Sequence, residues 1–248
     1  MIDAIRSEWI KVTTVTSTWV LAIVGAAFPL VVSLLTAAFD DDADIGFTGS
    51  DLGGLVAGTT LVSALIFGVV AILGITSEFS HLTIRPTFAA LPDRWRALVA
   101  KPIVQVTISA VLTVLIVVLA WTFGSALAAG DQALADGDAL ASLVGVVCLS
   151  IGLTLLGYAL GMIVRNTAAA ICVLLLWPLI AEGLIAGLLG AVGLEGVQRW
   201  MPYAAGIAMV FNDADGATLG RVGGGAYFFA WISALLALGL WSTHRRDA

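Results

Sequence analysis

The side chains able to do chemistry are few, and their spacing argues against most of it. There are two lysines, Lys11 in "SEWIKVTT" and Lys101 in "LVAKPIV". Neither follows the Gly-rich turn that a phosphate-cradling P-loop requires, so this chain does not hydrolyse ATP by that route. The two histidines, His81 and His244, fall in a polar connection and in the C-terminal tail. No HExxH pair exists, and no serine lies beside a histidine in an apolar setting that would make it a nucleophile. Cys148 and Cys172 both sit in apolar runs and read as small hydrophobic fillers rather than a disulfide or metal pattern. Glu182 is the one carboxylate inside a long apolar stretch. A general acid–base centre needs more titratable groups than this, so the chain is expected to be no enzyme and to hold no cofactor or metal.

The elements that carry these residues are unusual. Of 248 residues, 60% are hydrophobic and only 11% charged, against about 25% charged in an ordinary soluble domain. The net charge of −6 comes with no basic face, which excludes a nucleic-acid partner. Apolar runs cover 18–39, 52–77, 98–128, 139–164, 166–189 and 222–243. About 20 helical residues cross a hydrocarbon core of about 30 Å. Period-2 alternation, the mark of barrel strands, is missing. The expected fold is therefore all-α: one integral membrane domain, 1–248, of six transmembrane helices. The fifth is irregular, because Glu182 interrupts it. The first run is longer than a signal-peptide core and no small-x-small site follows it, so it is expected to be retained.

Charge distribution orients the spans. The connection after span one carries Asp40, Asp41, Asp42, Asp44 and Asp51, and the one after span three carries Asp131, Asp136 and Asp138; neither has a Lys or Arg. Nine of the eleven basic residues fall on the other side, with only Arg199 and Arg221 opposite. The positive-inside rule puts both termini in the cytoplasm, and an even span count agrees.

Three polar regions remain. Residues 1–17 place Ile2, Ile5, Trp9 and Val12 at three- and four-residue spacings, with Arg6, Glu8 and Lys11 elsewhere around the wheel. That pattern fits an amphipathic helix lying on membrane lipids, with Trp9 and Lys11 as interfacial anchors, or the start of span one. Between spans five and six, the run from Gly183 to Gly225 is too apolar for a solvated loop and too broken by Gly and Pro202 for a full span. It reads either as short helices re-entering the outer leaflet or as a surface loop with an interfacial helix. Glu182, Trp200 and Tyr203 are candidates for an outer gate. Glu182 lies roughly 21 Å along its span at 1.5 Å per residue. It is either a transport residue or a carboxylate at the outer mouth, hydrated or hydrogen-bonded to a nearby helix end. Small-xxx-small spacings at Gly54/Gly58, Gly157/Gly161 and Gly183/Gly187 suit close helix packing.

The third region, 78–97, joins spans two and three. It holds Arg85, Arg94 and Arg96, with Lys101 just beyond, and two breaks at Pro86 and Pro92. Phe88 and Leu91 share a face of the short helix between the breaks. Two readings stand on spacing alone: a stiff knob that docks a soluble protein, or a basic loop that only anchors lipid headgroups.

The order of these motifs resembles that of ABC-2 type transporter permeases, especially the small actinobacterial kind. The segment is similar to the family's first intracellular loop at Glu78, Phe79, Thr83, Ile84, Arg85, Pro92, Arg94, Ala100 and Lys101. The opening "SEWIKVTT", "RNTAAA" after span four, "MPYAAG" before span six and the final "HRRDA" fit as well, so the resemblance covers essentially the whole chain. Leu82 departs from the usual Gly, and Thr14 and Thr16 stand where basic residues are common. The resemblance implies a subunit of an exporter in the bacterial plasma membrane, dimeric with an identical or sibling permease and bound to two ATP-binding subunits that carry Mg-ATP. The helix around 83–91 would be the cytoplasmic coupling helix, with Glu78, Thr83, Ile84, Arg85, Phe88, Leu91 and Arg94 as its ATPase-coupling residues. The cargo class expected from a small, apolar lining is a hydrophobic or amphipathic small molecule, such as a drug, antibiotic or lipid. The alternatives are an ion-coupled or facilitative carrier without an ATPase, and a membrane anchor that moves nothing.

Overall fold

In lipid every backbone N–H and C=O must find its partner within the protein, and a helix does this within one segment. A computed structural model describes residues 2–39, 48–80, 94–127, 134, 138–211 and 219–246. Among them there is no strand. The helices are α1 (Ile2–Thr14), α2 (Thr16–Ala38), α3 (Gly49–Ser80), α4 (Arg94–Leu127), α5 (Ala139–Val164), α6 (Thr167–Leu176), α7 (Glu182–Ala191), α8 (Pro202–Ile207) and α9 (Gly220–Arg246). A π-helical turn, Trp177–Ala181, joins α6 to α7 into one rod. Six of the described helical stretches are long and apolar enough to cross a bilayer: Thr16–Ala38, Gly49–Ser80, Val99–Leu127, Ala139–Val164, Thr167–Ala191 and Gly220–Thr243. The architecture is a multi-pass bundle of transmembrane helices.

Several boundaries differ from the sequence expectation, each for a physical reason. Helices α3 and α4 have 32 and 34 residues, or about 48 and 51 Å at 1.5 Å per residue. Both outrun the hydrocarbon core, so the connection expected at 78–97 is helical at each end and only 81–93 lies outside the described residues. The expected interfacial helix at 1–17 ends at Thr14, because Val15 is extended (φ −81°, ψ 114°) and starts a separate span. Glu8 points into the bundle, Ile5 and Val12 are half-buried, and Trp9 and Ile10 are exposed. In the fifth span, Pro178 has no N–H to give the ladder, and the helix widens into the π turn at that point.

Helices α3 and α5 form the centre, with α2 and α4 packed on one side and α9 on the other. The core runs through Leu52, Val56, Leu149, Leu153, Phe228 and Ile232. Crossing at the centre is close because glycine permits it. A Cβ on Gly157 would collide with the carbonyl oxygen of Gly68 across the α3–α5 contact. Of the three small-xxx-small pairs, Gly157/Gly161 sits in this contact, whereas Gly54, Gly183 and Gly187 face open space. Gly157→Ala is therefore expected to lower stability in detergent by about 1–3 kcal/mol, the cost of overpacking. Gly54→Ala, which meets nothing and gains helix propensity, should change it by less than about 1 kcal/mol. Thermal unfolding of the two variants side by side checks this.

Candidate functional site

Charge is rare in this chain, and at one end of the bundle four charged side chains meet. Here the basic loop begins and ends, so this is called the basic end. Glu8 and Lys11 come from α1, one turn apart. Glu78 comes from the last turns of α3, and Lys101 from α4 just before Pro102. Lys101 Nζ lies 2.6 Å from Glu8 Oε2 and 2.9 Å from Glu78 Oε1. Lys11 Nζ lies 2.7 Å from Glu8 Oε1 and 3.1 Å from Glu78 Oε1. Each carboxylate thus touches two ammoniums, and each ammonium two carboxylates. The side chains of Lys101 and Glu8 are 8% and 7% exposed, and that of Lys11 is 46% exposed. An isolated buried ion would face a large desolvation cost; alternation around a closed square offsets it.

The electrostatics follow. Burial pushes the Glu8 carboxyl up, but Lys101 and Lys11 outweigh it and hold the group below its ordinary 4.5. Burial pushes Lys11 down, and Glu8 and Glu78 outweigh that and hold it above 10.5.

Two further joints meet the same end of α3. Arg165 ends α5 in the left-handed region (φ 55°), and its guanidinium lies 4.7 Å over the ring of Phe79. Thr167 Oγ1 donates to Thr76 Oγ1 at 2.8 Å. The last turn of α3, from which the basic loop departs, is therefore tied to α1, to α4 and to the α5–α6 turn.

The structure brings Glu78 and Lys11 together, and adds Glu8 and Lys101 as their partners. Trp9 lies on the outside of α1, 47% exposed. Thr83, Ile84, Arg85, Phe88 and Leu91 lie outside the described residues; Arg94 begins α4. The signal that sequence reasoning missed was spacing across motifs. Glu8 is an acid of the N-terminal segment and Lys101 a base at the mouth of an apolar span, and nothing in either stretch alone shows that each pairs with the other.

At the opposite end, Glu182 is buried and its carboxylate accepts three hydrogen bonds. They come from Trp177 Nε1 (2.8 Å), Tyr203 N (2.8 Å) and Ala204 N (2.9 Å). The last two are first-turn amides of α8, which has Pro202 at its start and no side-chain cap from Met201 before it. Helix N-termini favour such a carboxylate. Of the two sequence readings for Glu182, this geometry is the bond to a nearby helix end. The Tyr203 hydroxyl is pushed up to about 12, by burial and then by the Glu182 charge, and stays a neutral phenol.

Where the chain leaves α8, Arg221 of α9 donates to the carbonyls of Met209 (3.1 Å) and Val210 (3.0 Å). It also lies 3.0 Å from Asp138 at the start of α5. Segment 202–210 is thus held by an anion at its N-terminus and a cation at its C-terminus, and Ala205, Gly206, Ala208, Met209 and Val210 are buried. Trp200 packs edge-on to Tyr227, ring centroids 5.6 Å apart, and its carbonyl accepts from the Tyr227 hydroxyl. It does not touch Glu182 through any described hydrogen bond.

No group of His, Cys, Asp and Glu able to hold a metal occurs among the described residues. No family model, curated protein or solved structure matches the chain.

Two outcomes are expected. The Glu8 contribution to stability is complete above 4.5 and is lost as pH falls through its depressed value. The Lys11 contribution is complete below 10.5 and is lost as pH rises through its raised value. Glu8→Gln should start less stable at neutral pH and lose less on acidification below 4.5, read by thermal unfolding across pH. At the other end, Glu182→Ala strands two amides and an indole N–H. Each buried unpaired group costs about 1–3 kcal/mol, so that variant should unfold well below Glu182→Gln, which keeps one acceptor oxygen.

Proposed function

We propose that this chain is the membrane subunit of an ABC-2 type exporter in the bacterial plasma membrane, with both termini cytoplasmic. It moves a hydrophobic or amphipathic small molecule outward, using ATP hydrolysed on a separate subunit. The observation that carries the reading is the charge square at the base of the 81–93 connection. A motor outside the membrane must push on something stiff, because the two nucleotide states can shift a conformation only through unequal interaction with it. The connection leaves α3 two residues after Glu78 and enters α4 seven residues before Lys101, so a push on it would be delivered to the square.

In this reading the 81–93 connection carries the coupling helix, which presents Phe88 and Leu91 to a groove of the ATPase, with Arg85 and Arg94 beside them. Residues 202–210 form the outer re-entrant element, held in place by Glu182 and Arg221. A second permease copy completes the translocation route. Among the described residues, the Glu182 carboxylate buried at the end opposite the square already serves a helix terminus, which weighs against an ion-coupled carrier.

The test is co-purification with an ATP-binding subunit encoded beside the gene. Phe88→Asp and Arg85→Asp are expected to cut recovery of the ATPase at least about tenfold, or about 1.4 kcal/mol, without loss of the folded bundle. Wild-type recovery together with undiminished ATP-dependent efflux in both variants rejects the docking role.

A further inference from the structure

Beyond the charge square, the contact between α4 and α5 carries a file of polar side chains. On α4, Lys101, Gln105, Ser109 and Thr113 recur every fourth residue, and all four are buried. They share one face over about 18 Å at 1.5 Å per residue. Opposite them on α5, Ser150 and Thr154 are buried as well. The hydroxyls of Thr113 and Ser150 share a hydrogen bond of 2.8 Å.

One member of the file is unsatisfied. Gln105 is 5% exposed, and its Oε1 has no hydrogen-bond partner among the described residues. Its Nε2 lies against Gly74 of α3, where any Cβ would collide with it. Gln105, Ser109 and Thr154 line a cavity of about 20 Å³, enough for one water, which needs about 10–15 Å³ and polar partners. Val12 of α1 forms another part of the wall.

The cavity lies inside the square: Val12 follows Glu8 by four residues and Gln105 follows Lys101 by four, while on α3 the wall is Phe67, Val70 and Ala71, seven to eleven residues before Glu78, so Gln105, Ser109 and Thr154 are polar groups in a mostly apolar wall. The sequence of groups inward from the basic end is therefore square, Gln105, Ser109 with Thr154, then Thr113 with Ser150.

We propose that this file is a hydrated path for the hydrogen-bonding part of an amphipathic cargo, and that the charge square is its gate at the basic end. Gln105 Oε1 is the acceptor for a hydroxyl, amine or amide N–H on that cargo, and a water occupies the position when the gate is closed. Parting the square, by the push on the connection described above, opens the path. The proposal rests on the exporter reading for its cargo, but its test needs no ATPase.

In a background of Cys148→Ser and Cys172→Ser, single substitutions Gln105→Cys, Ser109→Cys and Val111→Cys are made in purified, liposome-embedded protein. A small water-soluble methanethiosulfonate is the probe; it reacts with the thiolate, which forms only where water reaches the thiol. Val111 is 54% exposed on the outer face of α4 at the same depth and reports the lipid-facing rate. Each substitution is then combined with Lys101→Met, which removes the cation shared by both carboxylates. Glu8→Gln, which keeps the side-chain size, serves where Lys101→Met yields no monodisperse protein. The thiols at 105 and 109 are expected to react at least tenfold faster with the square broken than intact, and faster than the thiol at 111 in both. Equal rates with the square intact and broken overturn the gate. Rates at 105 and 109 that match 111 overturn the path. Either failure leaves the ATPase co-purification result standing, and loss of co-purification leaves the path standing.

Discussion

The ammonium of Lys101, held between the carboxylates of Glu8 and Glu78, is the interaction on which the rest of the molecule depends. A lysine 8% exposed beside an apolar span is tolerable only if something neutralises it at short range. No residue of its own helix does so. The partners come from α1, which is otherwise a short, largely exposed helix with little reason to dock, and from the end of α3. Charge here does what apolar area does in a soluble protein: it selects which helices meet. Inside lipid the apolar faces of different helices are nearly equivalent, so a specific ionic contact decides register where hydrophobic burial cannot.

The acidic end uses the same device with different parts. Segment 202–210 is too short to be stable alone. It is held because its terminal amides meet Glu182 and the carbonyls at its far end meet Arg221. Both charges complement the polarity of the backbone they touch. Between the two ends, the bundle is joined by glycine-permitted backbone contacts such as Gly68 against Gly157, by apolar side chains and by hydroxyls bonded across or within helices. The apolar contacts among these are non-directional, whereas the hydroxyl hydrogen bonds are directional; the charged contacts at the two ends add further specificity.

The six spans were legible in the sequence because span length and absence of charge are imposed residue by residue by the bilayer. The irregularity of the fifth span was legible from Glu182, but Pro178, where the helix widens into the π turn, was not singled out. Side-chain partnerships were not legible. The helical wheel of residues 1–17 offered an apolar face for lipid, but it could not show that Glu8 is buried in the bundle, because its partner is a lysine 93 residues along the chain. Arg221 escaped notice for the same reason: nothing near it in sequence needs a cation, whereas the carbonyls of Met209 and Val210 do. Glu182 was recognisable as exceptional, but the amides it serves lie 21 and 22 residues away.

The square also bears on how force could travel. Its four charges sum to zero, and each is bonded to two others, so the arrangement resists small displacements of any one helix. A larger displacement that separates α1 from α3 and α4 breaks several contacts together and admits water to all of them. Hydration then replaces much of the lost attraction, since the same charges are well solvated once exposed. In the exporter proposed above, parting the square would therefore cost less than parting an apolar plug in the same place, because exposed hydrocarbon gains nothing from water.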